Sequence, residues 1–300
     1  MRTPQLDFLV IGAQKAGTTA LWRYLEDNPN LCMPPDKEAP FFSEPAYPRE
    51  LRAYMRALFK DAPARAKRGT VTPTYMLGVP GVGVAQIADR IHATVPNVQL
   101  VAVLRDPVER AFSSHRMAVR DSGERRSFAA AVAAQLEPSA LELARQGPAT
   151  TDSYVVAGEY GRILDEYLRR FERAQLHIEL TPDLERTPLE VVERVCAHIG
   201  VPAHQPVQLG RRFFTGGPRL VSAEAAGELH AYLGRHVWPH VRDAPARREA
   251  FEFWFRLWNT EREPPRERVD EETAARLRAH YAGDVERLET ATGIRVPWRG

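Results

Sequence analysis

Two short segments of the chain combine residue types that bind phosphate. Residues 12–19 read GAQKAGTT, with two glycines five residues apart, a lysine between them and two threonines after them. Glycine lets backbone N–H groups approach an anion closely, while the lysine ammonium and the threonine hydroxyls add charge and further donors. Residues 105–113 read RDPVERAFS, in which Arg105 and Ser113 can grip a second phosphate together. The sequence therefore predicts two separate anion sites.

Each of these segments follows a run of apolar residues. Residues 6–11 and 98–104 are typical of buried β-strands, and a helix predicted near 18–27 would direct its free N–H groups at a phosphate. Further strands are predicted at 70–72 and 176–180, and helices at 84–95, 107–120, 127–145, 157–173, 188–199 and 271–292. The alternation predicts an α/β fold, in which helices cover both faces of a central parallel sheet.

The first segment differs from the phosphate loop of ATP- and GTP-binding proteins. That loop reads GxxxxGK[ST], whereas here Thr18 follows the second glycine and Lys15 lies inside the loop. The strand at 98–104 also runs into Arg105 and not into an acidic metal ligand. This pattern fits a donor other than a magnesium-bound triphosphate, and no metal is expected. A small-molecule or nucleoside kinase and a non-catalytic nucleotide-binding protein are the alternative interpretations.

Together the two segments resemble the donor-binding motifs of sulfotransferases that use 3′-phosphoadenosine-5′-phosphosulfate (PAPS). KEAPFF at 37–42 and TVTPTY at 70–75 are similar to the KE-x-x-FF and GE-x-[ST]-P-x-Y segments of the branch that holds the heparan sulfate and related bacterial sulfotransferases. The resemblance covers most of 6–200 and 271–298 and implies the P-loop-kinase-like sulfotransferase fold. It departs at Thr70, where glutamate is usual in that branch.

The resemblance implies which residues bind the donor. In the family the loop holds the 5′-phosphosulfate, and an arginine and a serine hold the 3′-phosphate. The corresponding residues here are Lys15, Ala16, Gly17, Thr18, Thr19, Arg105 and Ser113. Arg212 and Arg219 lie in the basic loop with which the family closes over the nucleotide, although no RKG or KGR sequence is present. The implied cofactor is PAPS, and the product is adenosine 3′,5′-bisphosphate.

The resemblance also implies in-line transfer of a sulfuryl group to an acceptor hydroxyl or amine. Glu38 is expected to take the acceptor's proton from a partly desolvated position, and Lys15 to stabilise charge on the bridging oxygen. His115 is the alternative base. Arg110 is expected to support its own helix. The residues expected to bind the acceptor are Lys37, Phe41, Phe42 and Tyr75.

Composition limits the remaining function classes. The 300 residues are 44% hydrophobic and 27% charged, with a formal net charge of +2, which argues against a nucleic-acid partner. The two cysteines, Cys32 and Cys196, lack metal or disulfide spacing. Neither a signal peptide nor an apolar stretch of about 18 residues is found, so a cytoplasmic protein without a membrane partner is expected.

Residues 222–268 lie outside the ranges that the resemblance covers. The segment is predicted to be helical and contains Trp238, Phe251, Phe253, Trp254, Phe255 and Trp258. These aromatic residues are interpreted either as a core patch or as a pocket or lid for a small, apolar or aromatic acceptor. The chain is predicted to be one sulfotransferase domain, 1–300, with this segment as a helical C-terminal elaboration.

Overall fold

A five-stranded parallel sheet forms the centre of the computed structural model. The strands are β1 (Phe8–Gly12), β2 (Leu31–Cys32), β3 (Lys67–Val71), β4 (Gln99–Leu104) and β5 (Leu176–Leu180). They lie in the order β2-β3-β1-β4-β5, and each neighbouring pair is parallel. The predicted α/β fold with a central parallel sheet is confirmed.

The structure describes residues 6–34, 37–44, 47, 51–60, 62–206, 209, 235–236 and 268–298. The predictions for Arg212, Arg219 and the aromatic residues of the 222–268 segment lie outside these residues. The backbone divides into two units, Met1–Phe213 with Val269–Gly300 and Phe214–Arg268. The description below concerns the first unit.

Helices flank the sheet, and two of them show how local sequence starts and ends a helix. The helices are α1 (Thr18–Leu25), α2 (Leu51–Leu58), α3 (Val84–Thr94), α4 (Pro107–Asp121), α5 (Phe128–Gln135), α6 (Pro138–Arg145), α7 (Tyr160–Leu168), α8 (Thr181–Arg186), α9 (Pro188–Ile199) and α10 (Glu271–Thr292). Asp106 caps α4 by accepting from the N–H groups of Val108 and Glu109, and Pro107 occupies the first turn. A left-handed glycine, Gly200, ends α9. Among the helices, α9 packs against α1 and α8, and α7 packs against α3 and α10.

The sheet reverses its direction of winding between β1 and β4. From β1 the chain moves to β2 and β3 on one side, and β4 and β5 then lie on the other side. All residues of β1 are buried, and so are residues 100–104 of β4, because helices cover both faces of these central strands. Ligands of open α/β sheets bind at the carboxyl ends of the strands at such a reversal. Both sequence-predicted anion sites follow these two strands.

A carboxylate on the last described helix fixes the start of α7. Asp284 of α10 accepts hydrogen bonds from the backbone N–H groups of Gly161 and Arg162, at 2.7 and 2.8 Å. Gly161 is needed for this approach, since a Cβ there would lie 2.3 Å from the Asp284 carbonyl oxygen. Glu159, just before α7, is 3% exposed and pairs with Arg162, among others. The contact holds α10 on α7 through groups that are 123 residues apart in sequence.

Several boundaries and two short elements differ from the sequence-based expectations. The helix expected over 127–145 is two helices, α5 and α6, because Pro138 starts a new one. The short helix α8 and the two-residue strand β2 were not predicted. The helix expected over 157–173 begins only at Tyr160, after a turn of 3-10 helix.

Candidate active site

The phosphate loop predicted from the sequence connects β1 to α1. Gly17 has a φ of 100° and forms the N-cap of α1, and no side chain caps the helix there. Lys15 also has a positive φ, 70°, which is uncommon for a residue with a side chain. A Cβ on Gly12 would lie 2.6 Å from the Met76 sulfur, so only glycine fits at the end of β1. The helix start therefore offers its first N–H groups to a ligand in the loop.

The ammonium of Lys15 lies in a buried and cationic setting. Burial, the largest cause, and the charges of Arg120 and Arg105 lower its pKa from 10.5 to about 8. Within the part of the chain that the structure describes, no acceptor or carboxylate pairs with this ammonium. Such a group gains most from a bound anion, because the anion supplies the missing negative charge.

Arg105 lies beside the loop, at the carboxyl end of β4. Its Nη1 donates to the Lys15 carbonyl oxygen at 3.4 Å, and its Nη2 pairs with Glu109 at 3.1 Å. The Tyr160 hydroxyl donates a hydrogen bond to the Arg105 carbonyl oxygen at 3.0 Å. The two predicted anion sites are thus adjacent, and they share a direct contact between Arg105 and the loop backbone.

Helix α4 carries Ser113 and is fastened to the phosphate loop. Ser113 is half-buried, and among the described residues its hydroxyl has no hydrogen-bond partner. The neighbouring Ser114 donates to the Gln14 side chain in the loop at 3.3 Å. The hydroxyl of Ser113 is accordingly available to a ligand, on a helix whose position relative to the loop is fixed.

Two further arginines of α4 belong to this electrostatic environment. Arg110 is fully buried and donates to the Tyr154 carbonyl, which agrees with a supporting role in its helix. The charge of Arg120 acts on Lys15, and its side chain pairs with Asp121 at 2.7 Å. Sequence reasoning missed Arg120, although it lies seven residues after Ser113 and hence on the same helical face.

The predicted base, Glu38, lies in the loop after β2. Its carboxylate pairs with the Lys37 ammonium at 2.9 Å, and its side chain is 47% exposed whereas that of Lys37 is 17% exposed. The expected partial desolvation of Glu38 is therefore wrong. A carboxylate in this exposed position is open to an acceptor that approaches the loop.

The aromatic residues predicted to bind the acceptor are buried, and their acceptor-binding role stays a prediction. Phe41, Phe42 and Tyr75 are 8%, 1% and 1% exposed. The Phe42 ring meets the Tyr75 ring edge to face at 5.7 Å, and Phe41 stacks on Tyr54 at 5.1 Å. Burial raises the pKa of the Tyr75 hydroxyl well above its usual range, so this group acts as a neutral donor. The rings anchor the loop that carries Lys37 and Glu38 by packing beneath it.

His115, the alternative base, also lies on α4. Its ring is 7% exposed, sits against Phe128 and Tyr154 at 5.4 Å each, and contacts the Arg126 carbonyl oxygen through Nε2 at 2.9 Å. These contacts are those of a histidine that joins α4 to the following segment. Its catalytic role stays a prediction and has no part in the mechanism proposed below.

Neither a metal centre nor a membrane-spanning helix is found among the residues that the structure describes. Across them, no three His, Cys, Asp or Glu side chains converge as the ligands of a metal ion would. No helix among them combines the length and the apolar character needed to span a bilayer.

Comparisons with known proteins agree with this arrangement. A family model described as "Sulfotransferase domain" matches residues 5–211. Human heparan sulfate glucosamine 3-O-sulfotransferase 6 is 30% identical over 264 residues, which cover 86% of this chain and 70% of that protein. Mouse heparan sulfate glucosamine 3-O-sulfotransferase 3B1 is 26% identical over 235 residues, 76% of this chain. The chain spans about half, 54%, of the length of this mouse relative.

A solved structure is similar over nearly the whole chain. The crystal structure of a sulfotransferase from Alicyclobacillus acidocaldarius superposes with a TM-score of 0.67 at 25% identity, covering 97% of each chain. The family match includes the phosphate loop, the Lys37–Glu38 loop and the Arg105–Ser113 segment. This chain belongs to the sulfotransferase domain family.

Proposed function

We propose that this protein transfers a sulfuryl group from PAPS to the hydroxyl or amine of an acceptor. The observation that supports it most is the buried ammonium of Lys15, which has no partner among the described residues and lies beside Arg105 at the reversal point of the sheet. Two cationic groups at the ends of adjacent strands suit a donor with negative charge at two positions. The family of the chain favours this reading over a kinase or a non-catalytic binding protein.

The residues present fit the donor. Lys15, the N–H groups at the start of α1 and the Thr18 and Thr19 hydroxyls would hold the 5′-phosphosulfate. Arg105 and Ser113 would hold the 3′-phosphate, because one supplies a forked cation and the other a hydroxyl without a partner in the described chain. PAPS supplies an activated sulfuryl group, bonded to a phosphate that is a good leaving group.

The protein's own contribution is to position charges and to move one proton. Glu38 would accept the proton of the acceptor as the new bond to sulfur forms. Lys15 would donate hydrogen bonds to the bridging oxygen, which gains charge as its bond to sulfur breaks. Such preorganised charges act most strongly where water is excluded, as at the buried Lys15.

Two observations bear on the class of acceptor, and they point to different classes. The aromatic residues of the 222–268 segment predict a small apolar or aromatic acceptor. Two relatives carry a glucosamine of heparan sulfate in their names. A screen with labelled PAPS should therefore include both phenolic and other apolar alcohols or amines and glucosamine-containing oligosaccharides, with transfer of label as the readout.

Donor binding is tested by thermal unfolding. Adenosine 3′,5′-bisphosphate at about 100 times its Kd, without magnesium, should stabilise the protein by about 2.7 kcal/mol and raise Tm by about 5 °C. ATP with magnesium should leave Tm unchanged. A shift with ATP and magnesium but none with the bisphosphate would support the kinase interpretation and contradict the proposal.

Arg105→Met should selectively weaken binding of the 3′-phosphate. Loss of a charged hydrogen bond of about 1.5–3 kcal/mol corresponds to roughly a 10–150-fold lower affinity for adenosine 3′,5′-bisphosphate. Affinity for adenosine 5′-phosphate, which lacks the 3′ group, should change little. Isothermal titration calorimetry with both nucleotides measures the difference.

Arg169→Met is the matched control for this substitution. It removes the same charge at the C-cap of α7, where the Arg169 side chain is 64% exposed and pairs with Glu166, three residues earlier. It should leave both affinities unchanged. If Arg105→Met lost affinity equally for both nucleotides, Arg105 would act on the loop, through the Lys15 carbonyl, and not on the 3′-phosphate.

A further inference from the structure

Ala39, the residue after Glu38, has both of its backbone polar groups hydrogen-bonded to side chains of one segment, residues 72–76. The backbone N–H of Ala39 donates to Thr72 Oγ1 at 3.1 Å. The Tyr75 hydroxyl donates to the Ala39 carbonyl oxygen at 2.5 Å. Ala39 itself is 3% exposed. Glu38 is thus an exposed side chain on a backbone that is fixed immediately after it.

The same segment is fastened to the strand that carries the phosphate loop. The Thr72 N–H donates to the Val10 carbonyl oxygen of β1 at 2.9 Å, which extends the pairing of β1 with β3. Met76 lies against Gly12, where a Cβ would approach its sulfur to 2.6 Å. Residues 72–76 therefore lie between the loop of Lys15 and the loop of Glu38. They contact β1, which leads into the first loop, and Ala39 in the second.

Tyr75 is itself fixed from the other side. The Tyr167 hydroxyl of α7 donates to the Tyr75 carbonyl oxygen at 2.7 Å. The Tyr75 ring is 1% exposed and packs on Phe42, whose N–H lies 3.5 Å from the Tyr75 hydroxyl. A fully buried hydroxyl with a defined acceptor has little freedom to move. The Tyr75 hydroxyl therefore fixes the position of the Ala39 carbonyl.

We infer that Thr72 and Tyr75 are positioning residues, which set the distance between the Glu38 carboxylate and the Lys15 ammonium. The inference rests on the proposed roles of Glu38 and Lys15. It differs from an acceptor-binding role for Tyr75, because the Tyr75 side chain faces the Ala39 carbonyl in the core. A displacement of a catalytic group by about 1 Å costs up to about 10²-fold in rate, so a small movement of this loop matters.

Tyr75→Phe should lower kcat by about 10- to 100-fold, since it keeps the ring but removes the hydroxyl that donates to the Ala39 carbonyl oxygen. KM for PAPS and affinity for adenosine 3′,5′-bisphosphate should stay within about twofold, since the phosphate loop is untouched. The matched control is Tyr281→Phe, which removes another buried hydroxyl, bonded to the Val155 carbonyl at 2.9 Å. It should destabilise the fold similarly while leaving kcat unchanged. Equal kcat values for the two variants would overturn the inference.

A second measurement is independent of transfer activity. Thr72→Val removes the acceptor of the Ala39 N–H, so amide hydrogen exchange in 37–44 should accelerate by about tenfold or more, but not in 13–19. Thr72→Ser, which keeps the hydroxyl, should restore slow exchange. Unchanged exchange in Thr72→Val would contradict the anchoring role. Failure of wild-type protein to bind the bisphosphate would instead contradict the proposed function, so the two failures are distinguishable.

Discussion

Glu38→Gln should lower kcat by roughly 10²–10⁴-fold, the usual contribution of a general base. The amide has the same shape as the carboxylate but cannot accept the acceptor's proton. Affinity for adenosine 3′,5′-bisphosphate should be unchanged, because Glu38 makes no contact with the phosphate loop among its described partners. Steady-state kinetics with the acceptor found by screening and calorimetry with the bisphosphate measure the two effects.

Glu44→Gln is the control for this substitution. Glu44 is also exposed and belongs to the same stretch of chain, just after the turn Phe41–Ser43. Its variant should keep wild-type kcat. Both substitutions should change the free energy of unfolding by less than about 0.5 kcal/mol, as is usual for exposed sites. A fully active Glu38→Gln would show that another group takes the proton.

Lys15→Met should lower kcat/KM for PAPS by roughly 10²–10³-fold, the loss expected when one donor to a developing oxyanion is removed. Methionine fills a similar volume in this buried position but carries no charge. Lys67→Met is the matched control, because Lys67 lies at the amino end of β3, is 42% exposed and pairs with Asp7. Single-turnover transfer from labelled PAPS separates the chemical step from binding.

The lowered pKa of Lys15 adds a pH dependence to this prediction. With a pKa of about 8, the ammonium is charged at pH 7 and mostly neutral at pH 9. A bound phosphate favours the charged form, so affinity for adenosine 3′,5′-bisphosphate should fall by up to tenfold per pH unit as the pH rises above about 8. Binding to Lys15→Met should lack this decline. A flat profile in the wild type would place the lysine away from the phosphates.

The strands that carry the site could be predicted because their sequences are continuous apolar runs. β1 and β4 were located to within two residues, since each is buried on both faces and ends at a polar or glycine residue. β3 was only partly located, because its first residues, Lys67 and Arg68, are polar and half-buried. Its place in the sheet depends on the ladder with β1, which periodicity does not reveal.

The candidate site was predictable where the positions of residues at the ends of strands decide which of them lie close together. Lys15 and Arg105 follow adjacent parallel strands, and parallel strands bring their carboxyl ends to one edge. The environment of Tyr75 was not predictable, because a tyrosine in a turn can face either a pocket or the core. Its direction depends on Ala39 and Tyr167, which are 36 and 92 residues away in sequence. Packing between distant segments decides such cases.

The bond between Asp284 and the start of α7 has a consequence for biosynthesis. A growing chain that has not yet reached residue 284 contains β1 to β5 and α7, but the N–H groups of Gly161 and Arg162 still lack this acceptor. The nascent polypeptide can therefore complete the helical layer that includes α7 only late in synthesis. Until α10 emerges, the side of α7 on which α10 packs is uncovered.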